Sequence, residues 1–259
     1  MSSDNKFCIS EDERLDYVNE KITLIQKKNG LTFGTDAFLL AAYIKSNKKA
    51  VAAELGCGTG IISLLCAARE KLSKIYAFEV QESFYDITKR NVTYNGFEGK
   101  VIPKCADIRN VNSADTDGEV DVVFANPPYM KTTSGKRNEA DEKYIARHEV
   151  MGNVNDFCVC ASKLLKYGGR FYVVWRPDRL IDLISSLRNN ALEPKLMTFV
   201  HADVQAEPSM ALICAVKGGK PDIKITAPLF IYDSENKNST SRQMSQKAKD
   251  IYDTLNFES

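Results

Sequence analysis

The chain has 259 residues, 44% of them apolar, and a formal net charge of +1. That length accommodates one large α/β domain or two smaller ones with a sizeable core, and the near-zero charge excludes a protein that holds nucleic acid by charge alone. The opening MSSDNKFCIS has no apolar run behind a basic start, and no segment approaches the roughly 18 uncharged apolar residues of a membrane span, so a cytoplasmic protein is expected.

Residues 11–46 contain ITLIQ and then LTFGTDAFLLAAYI, which predicts a turn at Gly34 and a helix capped by Thr35 or Asp36. From about residue 50 strand-like apolar runs alternate with amphipathic segments, the pattern of an α/β domain with a mainly parallel sheet. Strands are predicted at 51–55, 75–79, 101–105, 120–125 and 170–175, with helices at 60–72, 82–95 and 153–166. Gly168 and Gly169 are expected to end the last of these helices in a left-handed turn. A further helix over 178–190 precedes strands over 192–202 and 209–217. The short polar loop between those two, which holds Pro208, makes them an antiparallel pair at one edge of a seven-stranded sheet. Residues 232–259 are polar and poor in branched aliphatics, and predict a frayed tail with one short helix over 242–255. There is no internal repeat, so residues 1–231 read as one domain followed by this tail.

Seven cysteines, at 8, 57, 66, 105, 158, 160 and 214, are scattered through apolar segments without paired CxxC spacing, which predicts reduced, mostly buried thiols. Cys158 and Cys160 come closest to a motif, but at i and i+2 of a helix they point about 200° apart, and no metal is expected.

Three strand ends carry chemistry. AELGCGTGII, residues 53–62, breaks a strand with Gly56, Gly58 and Gly60 before a helix, letting the backbone approach a ligand beside unpaired helix N–H groups. Ile61 stands where a dinucleotide fingerprint requires glycine, and the Gly-Lys-Ser/Thr of a P-loop is absent. Glu79 ends the second strand at the sheet edge where α/β folds bind ligands, about 20 residues after the glycine turn, and suits a carboxylate accepting two ribose hydroxyls. The fourth strand, VDVVFA, stops at Asn126-Pro127-Pro128-Tyr129. Pro127 biases Asn126 toward an extended backbone, and both prolines have fixed φ and no N–H. The Asn126 carboxamide and Pro127 carbonyl are therefore presented as one stiff pair of acceptors.

Together, the E-x-G-x-G-x-G run, Glu79, Asp107 in KCADIRN and the NPPY corner resemble the class I S-adenosylmethionine-dependent methyltransferases that modify amino groups. The resemblance spans roughly residues 30–231. It implies a Rossmann-like fold with a seven-stranded, mostly parallel sheet, an antiparallel edge hairpin and helices on both faces. It also implies S-adenosylmethionine as cofactor, held by Glu54, Gly56, Cys57, Gly58, Gly60, Glu79, Asp107, Ile108 and Asn126, with Glu54 facing its amino group and Asp107 its adenine. The NPPY residues would be catalytic: Asn126 and Pro127 accepting from a planar nitrogen, Pro128 stiffening the corner, Tyr129 stacking on the target. Gln26, LTFGTDAFLLAAY, HEV and KLLKYGGRFYVVWRPDRL are similar to the bacterial valine-tRNA adenine-N6 methyltransferases, which modify the adenine 3′ of the anticodon. That likeness implies a tRNA anticodon stem-loop as substrate, with Phe33, Thr35 and Asp36 closing over the methionine end of the cofactor; a monomer is expected. Lys131, Lys136, Arg137 and Arg147, in the loop after NPPY, are the candidate phosphate contacts. His148 and His201 read as ordinary polar residues. A release-factor glutamine methyltransferase shares the corner but carries a longer helical domain than the about 50 residues before this glycine motif. The same motifs are compatible with a methyltransferase acting on another RNA or DNA amino group, and with a non-catalytic cofactor-binding module.

Overall fold

The computed structural model describes residues 9–29, 34–127, 152–233 and 243–257. A hairpin of β1 (Glu13–Asn19) and β2 (Ile22–Lys27) leads into α1 (Thr35–Tyr43). Then follow β3 (Asn47–Leu55), α2 (Ile61–Ala68), β4 (Leu72–Glu79), α3 (Glu82–Tyr94), β5 (Val101–Cys105) and β6 (Val120–Ala125). The second half comprises α4 (Val154–Leu164), β7 (Leu165–Trp175), α5 (Leu180–Asn189), β8 (Leu192–His201), β9 (Pro208–Lys217), β10 (Lys224–Ile225), β11 (Leu229–Phe230) and α6 (Gln246–Thr254).

Seven long strands lie side by side in the order β8-β9-β7-β6-β3-β4-β5, and the two-residue strands β10 and β11 both pair with β8. The five from β7 to β5 are parallel, whereas β9 runs antiparallel to both β7 and β8. Alternation within strands divides the core in two. Val122 and Phe124 of β6 join the cluster built with α1 and α2, and Val123 and Ala125 join the one built with α4 and α5, because successive side chains of a strand point to opposite faces. Among the described residues no helix is long and apolar enough to cross a membrane.

The chain runs outward through β3, β4 and β5, then returns to the other side of β3 as β6, so the strand order reverses between β3 and β6. Open α/β sheets bind ligands in the crevice outside the carboxyl ends of the strands at that reversal. Register brings the relevant ends level: Leu55 lies opposite both Phe78 and Ala125, and Glu79 opposite Cys105.

Several local expectations change. Gly168 (φ +79°) and Gly169 lie inside β7, not at a helix terminus. α4 stops at Leu164, and the register shift between Val120 and Val122 of the neighbouring strand makes the glycines part of a bulge, where an unpaired residue favours positive φ. Gly34, not Thr35 or Asp36, is the residue before α1, and no side chain caps it. Pro208 opens β9 instead of lying in the loop, a first-strand position that needs no N–H in the ladder. The C-terminal helix is docked: Ala248, Ile251 and Leu255 are buried, and Phe38 of α1 stacks on Tyr252 with ring centroids 5.0 Å apart. Lys71, itself buried, donates to the carbonyls of Ala41, Ala42 and Leu255, satisfying the carboxyl ends of α1 and α6 together.

The hairpin strand β1 is not legible in the sequence, and neither are the side chains that attach its partner. Asn91 of α3 and Asn95, which follows its last residue, each accept from and donate to the backbone of β2. Asn91 pairs with Ile25 at 2.7 and 3.1 Å, and Asn95 with Thr23 at 2.9 Å both ways. Two side-chain amides thus serve as the missing neighbour of an edge strand. Glu13 adds an ion pair with Arg90, which holds the Glu13 carboxyl below its ordinary range against the opposing effect of burial.

Candidate active site

The loop after β3 is left-handed at Gly56, Gly58 and Gly60, with φ of +71°, +57° and +81°. Two of the three glycines answer different needs. A Cβ on Gly60 would lie 2.9 Å from the Thr88 methyl, so this residue permits close packing of α3. A Cβ on Gly58 would meet nothing within 4 Å, so this backbone borders open space at the strand reversal.

Polar side chains hold the loop from beneath. Glu79, 2% exposed, accepts from Gly58 N–H at 2.8 Å through one oxygen and from Gln81 N–H at 2.9 Å through the other. Thr88 donates its hydroxyl to Gly58 C=O at 2.7 Å, and Asn91 donates to Thr59 C=O at 2.9 Å. Glu54, also buried, accepts from the N–H and the hydroxyl of Ser63 in the first turn of α2. Burial pushes the Glu54 carboxyl up to about 8, opposed by the Ser63 hydrogen bonds and reinforced by the nearby Glu79. Cys57 is buried in the same loop; burial and then the two carboxylates raise its thiol well above the ordinary range. The Phe157 ring of α4 lies 3.6 Å from where a Gly56 Cβ would be. The sequence reading does not find Ser63, Thr88, Asn91 and Phe157 as loop-holding residues; Thr88 and Asn91, three residues apart beside Ile87 and Val92 and buried with them, are the signal that could have done so.

Asp107 follows β5 in an Asx turn, accepting Arg109 N–H at 2.9 Å while the Arg109 guanidinium binds its carboxylate. That guanidinium holds the Asp107 carboxyl below its usual range, against partial burial. Ile108 is buried in the cluster that contains Phe157. Cys158 and Cys160 are buried in α4, and loss of water raises both thiols to about 12. Among the described residues no group of three or more ligating side chains could hold a metal. His201 ends β8 with Nδ1 2.7 Å from Ala206 C=O, at the same carboxyl edge but three strands along the sheet from β6.

The end of β6 differs in kind. Asn126 Nδ2 donates to Asp36 Oδ2 at 2.8 Å, and Asn126 Oδ1 is buried with no hydrogen-bond partner among the described residues. An unmet buried acceptor costs about 1–3 kcal/mol, so this one, at the strand reversal, is a candidate point of contact for an incoming donor. The open side of the glycine loop and this acceptor, at neighbouring strand ends, fit a nucleoside cofactor beside an amino-bearing target. Glu79 has lone pairs left for ribose hydroxyls, Gly58 bounds the space, and Asp107 and Ile108 stand at the next strand end. Phe33, Pro128, Tyr129, Lys131, Lys136, Arg137, Arg147 and His148 lie outside the described residues.

The family model described as Methyltransferase small domain matches residues 28–192. A tRNA1(Val) (adenine(37)-N6)-methyltransferase of Haemophilus influenzae is 25% identical over 228 residues, 88% of this chain and 94% of that protein. One from Phocaeicola vulgatus is 25% identical over 194 residues, 75% of this chain and 80% of the relative. Among solved structures, a predicted O-methyltransferase from Agrobacterium tumefaciens superposes with a TM-score of 0.67 at 20% identity, over 85% of this chain and 97% of the other. TYW2 of M. jannaschii, solved with AdoMet, gives a TM-score of 0.55 at 17% identity over 81% and 87% of the two chains. The two structural likenesses speak to the fold alone. With a family match over most of the α/β core, the chain belongs to the Methyltransferase small domain family and is an S-adenosylmethionine-dependent methyltransferase.

Proposed function

We propose that the enzyme methylates the exocyclic N6 amine of an adenine in tRNA, the one 3′ of the anticodon in the anticodon loop. The observation that carries this reading is the buried Oδ1 of Asn126 at the strand reversal, an acceptor for which the described residues supply no donor. The names of the curated relatives, which cover most of their own length, support adenine in tRNA as the target.

The chemistry follows from the weakness of the nucleophile, whose nitrogen lone pair is delocalised into the purine ring. S-adenosylmethionine supplies an electrophilic methyl group on a sulfonium. Glu79 holds the ribose end of the cofactor, Glu54 and the loop from Gly56 to Gly60 its methionine end, and Asp107 and Ile108 its adenine. Asn126 Oδ1 accepts one N–H of the target amine, and Pro127 C=O the other. Two fixed acceptors favour the pyramidal nitrogen of the attack and stabilise the positive charge that develops on it, without reorganising at the moment of reaction. The proton leaves the alkylated nitrogen readily, so no strong general base is required. Tyr129 is assigned to the face of the base, and Lys131, Lys136, Arg137 and Arg147 to phosphates, on sequence position alone.

The test incubates purified protein and methyl-labelled cofactor with total unmodified tRNA and, separately, with release factor, then identifies the product by mass spectrometry. Labelled N6-methyladenosine from the anticodon loop is the expected result. Label in a release-factor glutamine, or in neither sample, overturns the reading.

A further inference from the structure

We infer that Asp36 is a positioning residue for the transfer step: it locks the Asn126 carboxamide with its oxygen toward the target amine. The inference rests on the reading of Asn126 given above. A carboxylate can only accept hydrogen bonds, so the group facing Asp36 Oδ2 at 2.8 Å must be the NH2 of Asn126, and Oδ1 is left turned away from it. Without such a partner, either end of a carboxamide could face the target. A rotated amide would present two donors to an amine that is itself a donor.

Gly34 carries the same argument from a second direction. Its backbone, φ −112° and ψ −175°, is one that any residue adopts, so conformation does not require glycine there. Space does, because a Cβ at this position would lie 2.7 Å from Asp36 Oδ1. The residue before α1 thus makes room for the Asp36 carboxylate in the orientation that reaches Asn126. The first turn of α1 is held in turn by α6, through the stacking of Phe38 on Tyr252. The family resemblance groups Asp36 with residues closing over the cofactor; its contact with Asn126 gives it a role on the acceptor side of the reaction. Its negative charge on the amide nitrogen also draws electron density toward Oδ1, strengthening the acceptor that meets the developing ammonium.

Asp36→Asn keeps the shape and removes the charge, and because an asparagine can either accept or donate, it no longer fixes which end of the Asn126 carboxamide faces it. In the full-length enzyme kcat is expected to fall about 10- to 100-fold, with KM for tRNA, affinity for S-adenosylmethionine and Tm little changed. Gly34→Ala should give a smaller loss of the same kind. Asn126→Asp alone sets two carboxylates against each other, whereas Asp36→Asn with Asn126→Asp restores one donor and one acceptor and should recover at least about tenfold over the single variant. A readout independent of turnover is the Asn126 side-chain amide signal in 15N-labelled protein, assigned by Asn126→Ala, which should shift in Asp36→Asn. Wild-type kcat in Asp36→Asn, a kcat loss matched by an equal loss of cofactor affinity, an unrecovered exchange pair, or an unmoved amide signal would each overturn the inference. If the wild-type protein labels no tRNA, the proposed function fails and the amide signal still decides the pairing.

Discussion

The glycine loop and the corner at Asn126 are neighbours at one edge of the sheet, yet they are built on opposite principles. Beneath the loop, the polar groups that position it are matched: Glu79 to Gly58 and Gln81, Thr88 to Gly58, Asn91 to Thr59 and Ile25, Glu54 to Ser63. At the corner one nitrogen is paired with Asp36, and one oxygen has no partner among the described residues. A cradle that must present the same shape on every turnover gains from full satisfaction of its hydrogen bonds. An acceptor that must take hold of a substrate can be left unmet, provided its support is rigid.

The largest expected effect comes from removing the unmet group. Asn126→Ala should lower kcat by about 1,000-fold, in line with loss of a preorganised polar contact at a reacting centre. Cofactor affinity measured by calorimetry should change little, and a parallel loss of both would erase the distinction between the two regions. Next comes Glu79→Ala, which strands two backbone N–H groups; it should cost about 3 kcal/mol of stability in urea unfolding as well as weaken cofactor binding. Asn91→Ala acts further from the ligand space and should cost about 2 kcal/mol, since it unpairs Ile25 of β2 and releases Thr59 C=O while Asn95 still holds Thr23. If its loss appeared in kcat and not in stability, the view of the loop as a structurally satisfied cradle would be wrong.

The last expected effect is a dependence on pH, not a loss at fixed pH. Glu54 is raised from 4.5 to about 8, so across that window the folded chain holds a proton that the unfolded chain has released. Stability of the cofactor-free protein should therefore fall as pH rises through the window, and Glu54→Gln should flatten that fall. A cationic amino group placed beside Glu54 favours its ionised form, so cofactor binding should release a proton, measurable from the dependence of binding heat on buffer ionisation enthalpy. A binding heat independent of buffer would remove Glu54 from the methionine end of the site.

Legibility is uneven for physical reasons. Strands at 101–105 and 120–125 are readable to the residue because short apolar runs bounded by turn signals admit few assignments. The bulge at Gly168 and Gly169 reads wrongly as a helix terminus, since a left-handed glycine serves both and only pairing with β6 separates them. β1 is invisible because ERLDYVN is a mostly polar edge strand whose stability comes from β2, Arg90 and a face of α3. The C-terminal helix looks frayed because its few apolar residues, Ala248, Ile251 and Leu255, acquire meaning only against α1.

What the sequence determined by itself were the features written in consecutive residues: the α/β alternation, the glycine turn, the acid closing β4 and the stiff Asn-Pro-Pro corner. Each is a local matter of backbone freedom or its loss, and so survives being read along the chain. Tertiary structure alone decided that Asp36, ninety positions before Asn126, would hold its carboxamide, and that Gly34 is a question of space, not of conformation. Contacts between distant segments depend on which strand ends come level, and that follows from sheet order and register, which no single stretch of the chain encodes.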